Sequence, residues 1–306
     1  MTEQTEQLPP DVIAQLRALD PAITAELAQS SWALLTPFHE KAGYTAPEID
    51  RDLRYGDDPR HRLDVHTDGG GDQSGRPVFV FVHGGGFVRG DKRIPGSPQY
   101  DLVGAWAVRR GYVGVTMTYR LAPEHTWPSG AEDVAAAVQW LRQNVARYGG
   151  DPDKIVVAGN SAGAVHVASF AAGQAPGADP ASIAGAALLS GIYEIREPAP
   201  GEPEHAYYGP NPGPETSSLP GLLETPVPLL FSVAERDPYP FQLAAARVVS
   251  AWLERHGAVP DLVWVEGHNH MSTIGSLTVD ESALGAPLAR FIDRHTAAEH
   301  TADKGR

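Results

Sequence analysis

The sequence predicts an α/β protein, a mostly parallel central sheet of about eight strands with helices on both faces. Three observations predict it. Apolar runs such as Val78–Val82 (VFVFV) and Ile155–Ala158 (IVVA) are almost unbroken, as strands buried on both faces require. Stretches with helical spacing separate those runs, and parallel neighbours need crossovers of that length. The 306 residues, 42% hydrophobic and 20% charged, are enough for one large α/β unit with a substantial core.

Along the chain, residues 1–45 read as a helical preface. Val12, Ile13, Leu16 and Leu19 share one helical face. Asp20 followed by Pro21 is expected to start a second helix carrying Ile23, Leu27, Trp32 and Leu35. Such a segment must cover either the flank of the main domain or the mouth of its pocket. Leu53–Tyr55 and Leu63–His66 suggest an opening antiparallel pair, and Val78–Val82 the first buried strand. A helix over 101–110, stopped by Gly111, leads to a strand at Tyr112–Thr118. Ser129 to Glu132 fits a capping box for a helix ending near Gly149-Gly150. Strands are expected at Ile155–Ala158, Ala186–Ser190, Leu229–Val233 and Leu262–Val265. Helices are expected from Ala162, over Phe241–His256 and near Leu284–His295. The stretch 197–222, with seven prolines and four glycines, shows neither period and is expected as an irregular insertion near the site. The main domain is thus 46–296, and 297–306 reads as a flexible tail.

Composition narrows the function. With 24 basic against 38 acidic residues, the net charge of −14 disfavours nucleic acid and anionic lipid as partners. The absence of cysteine excludes a disulfide framework, a thiolate nucleophile and Cys-ligated metal centres. The longest apolar run, Ala181–Tyr193, is broken by Ser and Gly and is short of the ~20 residues of a membrane span. The opening residues, MTEQTEQLPP, carry acids and glutamines rather than a basic, apolar leader, so a cytoplasmic protein is expected.

Chemistry concentrates at strand ends. Gly159-Asn160-Ser161-Ala162-Gly163 is a G-x-S-x-G pattern directly between an apolar strand and an Ala-rich helical stretch. A serine exposed on a sharp strand–turn–helix needs small neighbours, and the helix start aims N–H groups at any anion formed beside it. His83-Gly84-Gly85-Gly86 ends the VFVFV strand, and its glycine N–H groups with that of Ala162 would form an oxyanion hole. A serine hydroxyl needs a base, and the base needs an orienting acid; on such sheets they follow in that chain order. Asp237 stands just beyond the Leu229–Val233 strand, with Glu235 as the runner-up acid. Beyond Leu262–Val265 come His268 and His270, either of which could serve as base. His-x-His also has the spacing of a metal pair, but no third ligand stands at metal spacing.

With these residues placed, the chain from about Leu53 to Ile292 resembles the hormone-sensitive-lipase-like carboxylesterases of the α/β-hydrolase superfamily. The resemblance rests on HGGGF (83–87), YRLAPEHTWP (119–128), GGDP (149–152), GNSAG (159–163) and the acid and base loops. It implies an α/β-hydrolase fold with a small helical cap from the N-terminal segment. Ser161 would be the nucleophile, and the N–H groups of Gly85, Gly86 and Ala162 the oxyanion hole. The family base is normally followed by a bulky apolar residue or a Gly-aromatic pair, which favours His270-Met271 over His268-Asn269. The chain departs from many relatives at Asn160, where they carry Asp, and after Asp237, which lacks a second carboxylate shortly downstream. Phe87, Trp127, Tyr207 and Tyr208 could line a substrate pocket or simply pack in the core.

The expected activity is hydrolysis of small or medium acyl esters by Ser161, His270 and Asp237 through an acyl-enzyme, with no metal or organic cofactor. The same machinery serves arylformamidases and lactone hydrolases, so amide or lactone cleavage is the alternative. A non-catalytic binding protein on this fold, as in plant hormone receptors, would lack the working histidine. A homodimer through an edge strand or the last helix is left open.

Overall fold

Unbroken apolar runs form the centre of the sheet in the computed structural model, which describes residues 7–70, 74–196 and 202–297. The chain begins with α1 (Pro10–Ala18) and α2 (Ala25–Ala42), then the pair β1 (Glu48–Arg54) and β2 (Arg62–Thr67). Next come β3 (Arg76–Val82), α3 (Asp101–Arg109), β4 (Val113–Met117), α4 (Ser129–Asn144) and β5 (Gly150–Asn160). After α5 (Ala162–Ala171) and β6 (Gly185–Leu189), two short helices, α6 (Pro203–Tyr208) and α7 (Leu219–Leu222), lead to β7 (Leu229–Arg236). The series closes with α8 (Tyr239–His256), β8 (Asp261–Asn269), α9 (Ser276–Val279) and α10 (Gly285–Thr296).

The eight strands of the described residues form one sheet in the order β1-β2-β4-β3-β5-β6-β7-β8. β2 runs antiparallel to both β1 and β4, and the remaining pairs are parallel. Side-chain alternation splits the β3 run between two cores. Val78, Val80 and Val82 pack with Val134, Val138 and Leu141 of α4 and Phe170 of α5. Phe79 and Phe81 face the other way, onto Leu102 and Trp106 of α3, Leu288 and Phe291 of α10, and Trp32 of α2. Burial on both faces is what makes the run continuous rather than alternating.

The N-terminal helices cover one flank of this sheet. Val12 and Leu16 of α1 pack with Leu35 of α2 and Val279 of α9, and Ile13 lies against Gly267 at the end of β8. Arg17 grips Glu235 with two nitrogens, at 2.9 and 2.7 Å.

Several local expectations need correction. The second helix starts at Ala25 rather than Pro21, because Thr24 supplies the cap by accepting from Leu27 N at 3.0 Å. Asp20 instead accepts from Ala22 N, closing a turn. Ser129 is the first helical residue of α4 and makes no capping bond; its hydroxyl has no partner. The described part of the Pro-rich stretch, 202–222, is more ordered than its composition suggests. Each proline of α6 and α7 sits at N1 or N2, where a missing N–H costs nothing. Residues 197–201 of that stretch, residues 1–6 and the expected tail beyond Ala297 lie outside the described residues.

Four buried histidines make the fold acid-sensitive. Burial pushes the imidazoles of His39, His66 and His166 down to about 4 and that of His83 to about 3. The unfolded chain protonates these rings near 6.5. The stability they permit is therefore intact above about pH 6.5 and is lost as pH falls towards their folded values, by up to about 1.4 kcal/mol per pH unit for each ring. The melting temperature should drop by several degrees per pH unit between pH 6.5 and 4.5. A flat profile in that window would contradict this picture.

Candidate active site

The carboxyl ends of β3, β5, β6, β7 and β8 meet at one edge, where parallel sheets gather their ligand-facing loops. β5 delivers Ser161 in a turn so tight that its backbone takes φ 56° and ψ −121°, a left-handed conformation unusual for a residue with a Cβ. Two glycines make the turn feasible. A Cβ on Gly163 would lie 2.1 Å from Val82 O, and one on Gly159 would lie 2.2 Å from Gly163 O. Ser161 N donates to Leu189 O at 3.0 Å, fastening the turn to β6. Ala162 begins α5, so its N–H belongs to the first turn, which lacks intrahelical acceptors.

His270 Nε2 stands 2.9 Å from Ser161 Oγ, and its Nδ1 stands 2.7 Å from Asp237 Oδ1. Asp237 is buried; its other oxygen accepts from Ser190 Oγ and Ala234 N, each at 2.7 Å. A carboxylate with those donors already on one oxygen presents an acceptor to the ring, so Nδ1 carries the proton and Nε2 is left to accept the serine O–H. The imidazole rests on Phe241, with ring centroids 4.3 Å apart.

The sequence alternatives separate cleanly. Glu235 accepts from Arg17 and from Gly267 N at 2.8 Å, and Arg17 holds its carboxyl below the usual range. It ties the β7 end to the β8 end and makes no bond to His270. His268 is buried, 3.1 Å from Ser272 Oγ and 3.4 Å from Asp280, so the two histidines of the His-x-His pair face different partners.

The loop after β3 passes against the serine. A Cβ on Gly84 would come within 3.2 Å of Ser161 Cβ. Gly85 has φ +138°, and a Cβ there would lie 2.0 Å from Arg89 O, so only glycine fits. His83 locks this loop from below, with Nδ1–H donating to Gly84 O at 2.7 Å, its ring stacked on Tyr119 and its carbonyl accepting from Tyr119 O–H at 2.9 Å.

Gly86, Phe87, Ala162, Val165, Ile192, Ile195, Glu204, Tyr208 and Phe241 surround Ser161 in a narrow cleft. Of the four aromatic residues singled out in the sequence, Phe87 and Tyr208 reach it. Tyr207 stacks behind Phe87 with centroids 4.6 Å apart, and its hydroxyl accepts from Gly130 N; Trp127 packs in the same cluster away from the cleft. Among the described residues, the N-terminal segment contributes none of the lining.

Sequence reasoning missed Ser190, Glu204 and Asn269. Ser190 had a signal, a polar residue at the carboxyl end of an apolar run. Asn269 holds the turn that presents His270, accepting from Met271 N at 3.0 Å and Ser272 N at 3.1 Å and donating to Ser31 Oγ of α2 at 3.1 Å.

A buried carboxylate, an imidazole and a strained serine in one hydrogen-bonded line, on this sheet order, define the α/β-hydrolase class. The comparisons narrow the kinship. The family described as BD-FAE matches residues 63–178. Esterase LipC of Mycobacterium tuberculosis is 40% identical over 121 residues, covering 40% of this chain and 29% of LipC. Carboxylesterase NlhH of the same organism is 47% identical over 88 residues, covering 28% of this chain and 26% of NlhH. An esterase from Pyrobaculum calidifontis superposes with a TM-score of 0.67 at 24% identity, covering 95% of this chain and all of that one. The chain thus matches under a third of the length of LipC and of NlhH, while the fold match covers 95% of this chain. The chain has the α/β-hydrolase fold and is similar to hormone-sensitive-lipase-like esterases, as its motifs implied. Among the described residues, no helix is long and apolar enough to cross a membrane.

Proposed function

We propose that this protein is a serine carboxylic-ester hydrolase acting on small or medium acyl esters. The observation that carries the reading is the continuous line Asp237–His270–Ser161, with contacts of 2.7 and 2.9 Å. His270 takes the Ser161 proton as the oxygen attacks the ester carbonyl, and Asp237 steadies the imidazolium that forms. The N–H groups of Gly85, Gly86 and Ala162 hold the oxyanion, each worth about 3–4 kcal/mol in a comparable site. His270 then protonates the departing alcohol, and a water activated by the same ring releases the acid and restores the serine. No step calls for a metal or an organic cofactor.

In this reading the N-terminal segment braces the loops bearing Asp237 and His270, through Arg17–Glu235 and Ser31–Asn269. Residues 46–296 form the catalytic unit. The proposal includes a small ester as the partner and a cytoplasmic setting; a homodimer belongs to it only as an option.

Steady-state hydrolysis of p-nitrophenyl acetate and butyrate, set beside N-formylkynurenine, tests the bond class. Turnover of the acyl esters well above the formamide is expected. The reverse preference would replace the ester reading with the formamidase one.

A further inference from the structure

Beside the Ser161 cleft lies a larger cavity of about 340 Å³, and the two share Ile192, Ile195, Glu204 and Phe241. Its walls are largely apolar, so each charged group on them needs an account. Glu194 and Arg247 neutralise each other at 3.1 Å, and Arg196 and Glu202 are exposed at the rim. Glu204, half-buried on α6, is the one carboxylate among the described residues that borders both spaces. Among the described residues, no hydrogen bond or ion pair reaches it.

The surfaces around Glu204 are aromatic: Phe87, Tyr208 and Phe241 all line the cleft. Aromatic faces beside an uncompensated carboxylate form the chemistry that holds an organic cation. The net charge of −14 raises the local concentration of such cations further.

We propose that the preferred substrates are esters carrying an organic ammonium group, held by Glu204 and the aromatic faces of Tyr208 and Phe241. This names the substrate class of the Ser161 site and rests on the ester-hydrolase reading. The bond broken is still the ester C–O, with water supplying the hydroxyl of the acid and the proton of the alcohol.

Matched pairs test it. Butyrylthiocholine is compared with 3,3-dimethylbutyl thiobutyrate, which places the cation on the leaving group. The p-nitrophenyl ester of 4-(trimethylammonio)butanoate is compared with that of 5,5-dimethylhexanoate, which places it on the acyl group. In at least one pair, kcat/KM for the cation should exceed that of its neutral isostere by about fivefold, the size of a partly shielded ion pair. That ratio should approach one in Glu204→Gln. A ratio at or below one in both pairs, or one unchanged by Glu204→Gln, overturns the proposal. Calorimetry of butyltrimethylammonium on Ser161→Ala, with and without Glu204→Gln, decides the cation site without turnover. Binding that Glu204→Gln removes supports the site even if no ester is cleaved, in which case only the ester reading falls. Absence of binding overturns the site even if p-nitrophenyl butyrate is cleaved.

Discussion

Replacing His270 with Ala is expected to lower kcat for p-nitrophenyl butyrate by about 10⁴-fold or more, and Ser161→Ala should fall to the same floor. The ring sits 2.9 Å from the serine oxygen through a nitrogen whose lone pair is free only because Asp237 holds the other N–H. Without the ring, the hydroxyl keeps its proton and remains a poor nucleophile. Because serine and imidazole act as a unit, the double variant should be no slower than either single one, and KM should change little. His270 is buried against Phe241, so circular dichroism of the variant, expected to match the parent's, separates loss of the ring from loss of the fold. A single variant retaining a tenth of the turnover would remove the group from the mechanism.

Asp237→Asn and Glu235→Gln, two conservative changes two residues apart, should differ by orders of magnitude. An amide at 237 keeps the shape of the side chain but no longer fixes the ring in the useful tautomer or stabilises its charged form, a loss of roughly 10⁴ in a comparable triad. Glu235 grips Arg17 and Gly267 N instead. Its partner is more than a third exposed, so the amide should cost no more than about 1 kcal/mol of stability and less than about tenfold in kcat. Equal losses in the two variants would mean that the bracing of the loops, rather than the carboxylate on the ring, carries the effect.

The parts of this site legible in the sequence were those that backbone geometry imposes. Gly159 and Gly163 stand where a Cβ would strike backbone within 2.2 Å, and such turns leave a pattern any reader can find. The strands were legible for a similar reason, since burial on both faces forces continuous apolar runs like Val78–Val82. What stayed hidden depends on long-range partners. The chain ranks Asp237 above Glu235 only by its place just beyond the strand; what separates them in space is Arg17 from α1 on Glu235 and Ser190 and Ala234 on Asp237. Helix starts at Ala25 and Ser129 were misplaced because Asp20 and Ser129 fit the cap pattern in the chain, whereas Thr24 caps α2 and Pro128 stands at the N-cap of α4 without a side-chain bond. Tyr207 and Tyr208 are adjacent, yet one stacks behind Phe87 and the other lines the cleft, a difference set by α6 packing rather than composition.

Reaction of the intact protein with a fluorophosphonate probe, followed by peptide mapping, asks most directly whether the hydroxyl at position 161 is activated. One adduct per chain, on Ser161, is predicted, with its rate of formation falling sharply in His270→Ala. An unlabelled protein, or phosphonylation at another serine while ester turnover persists, would contradict it.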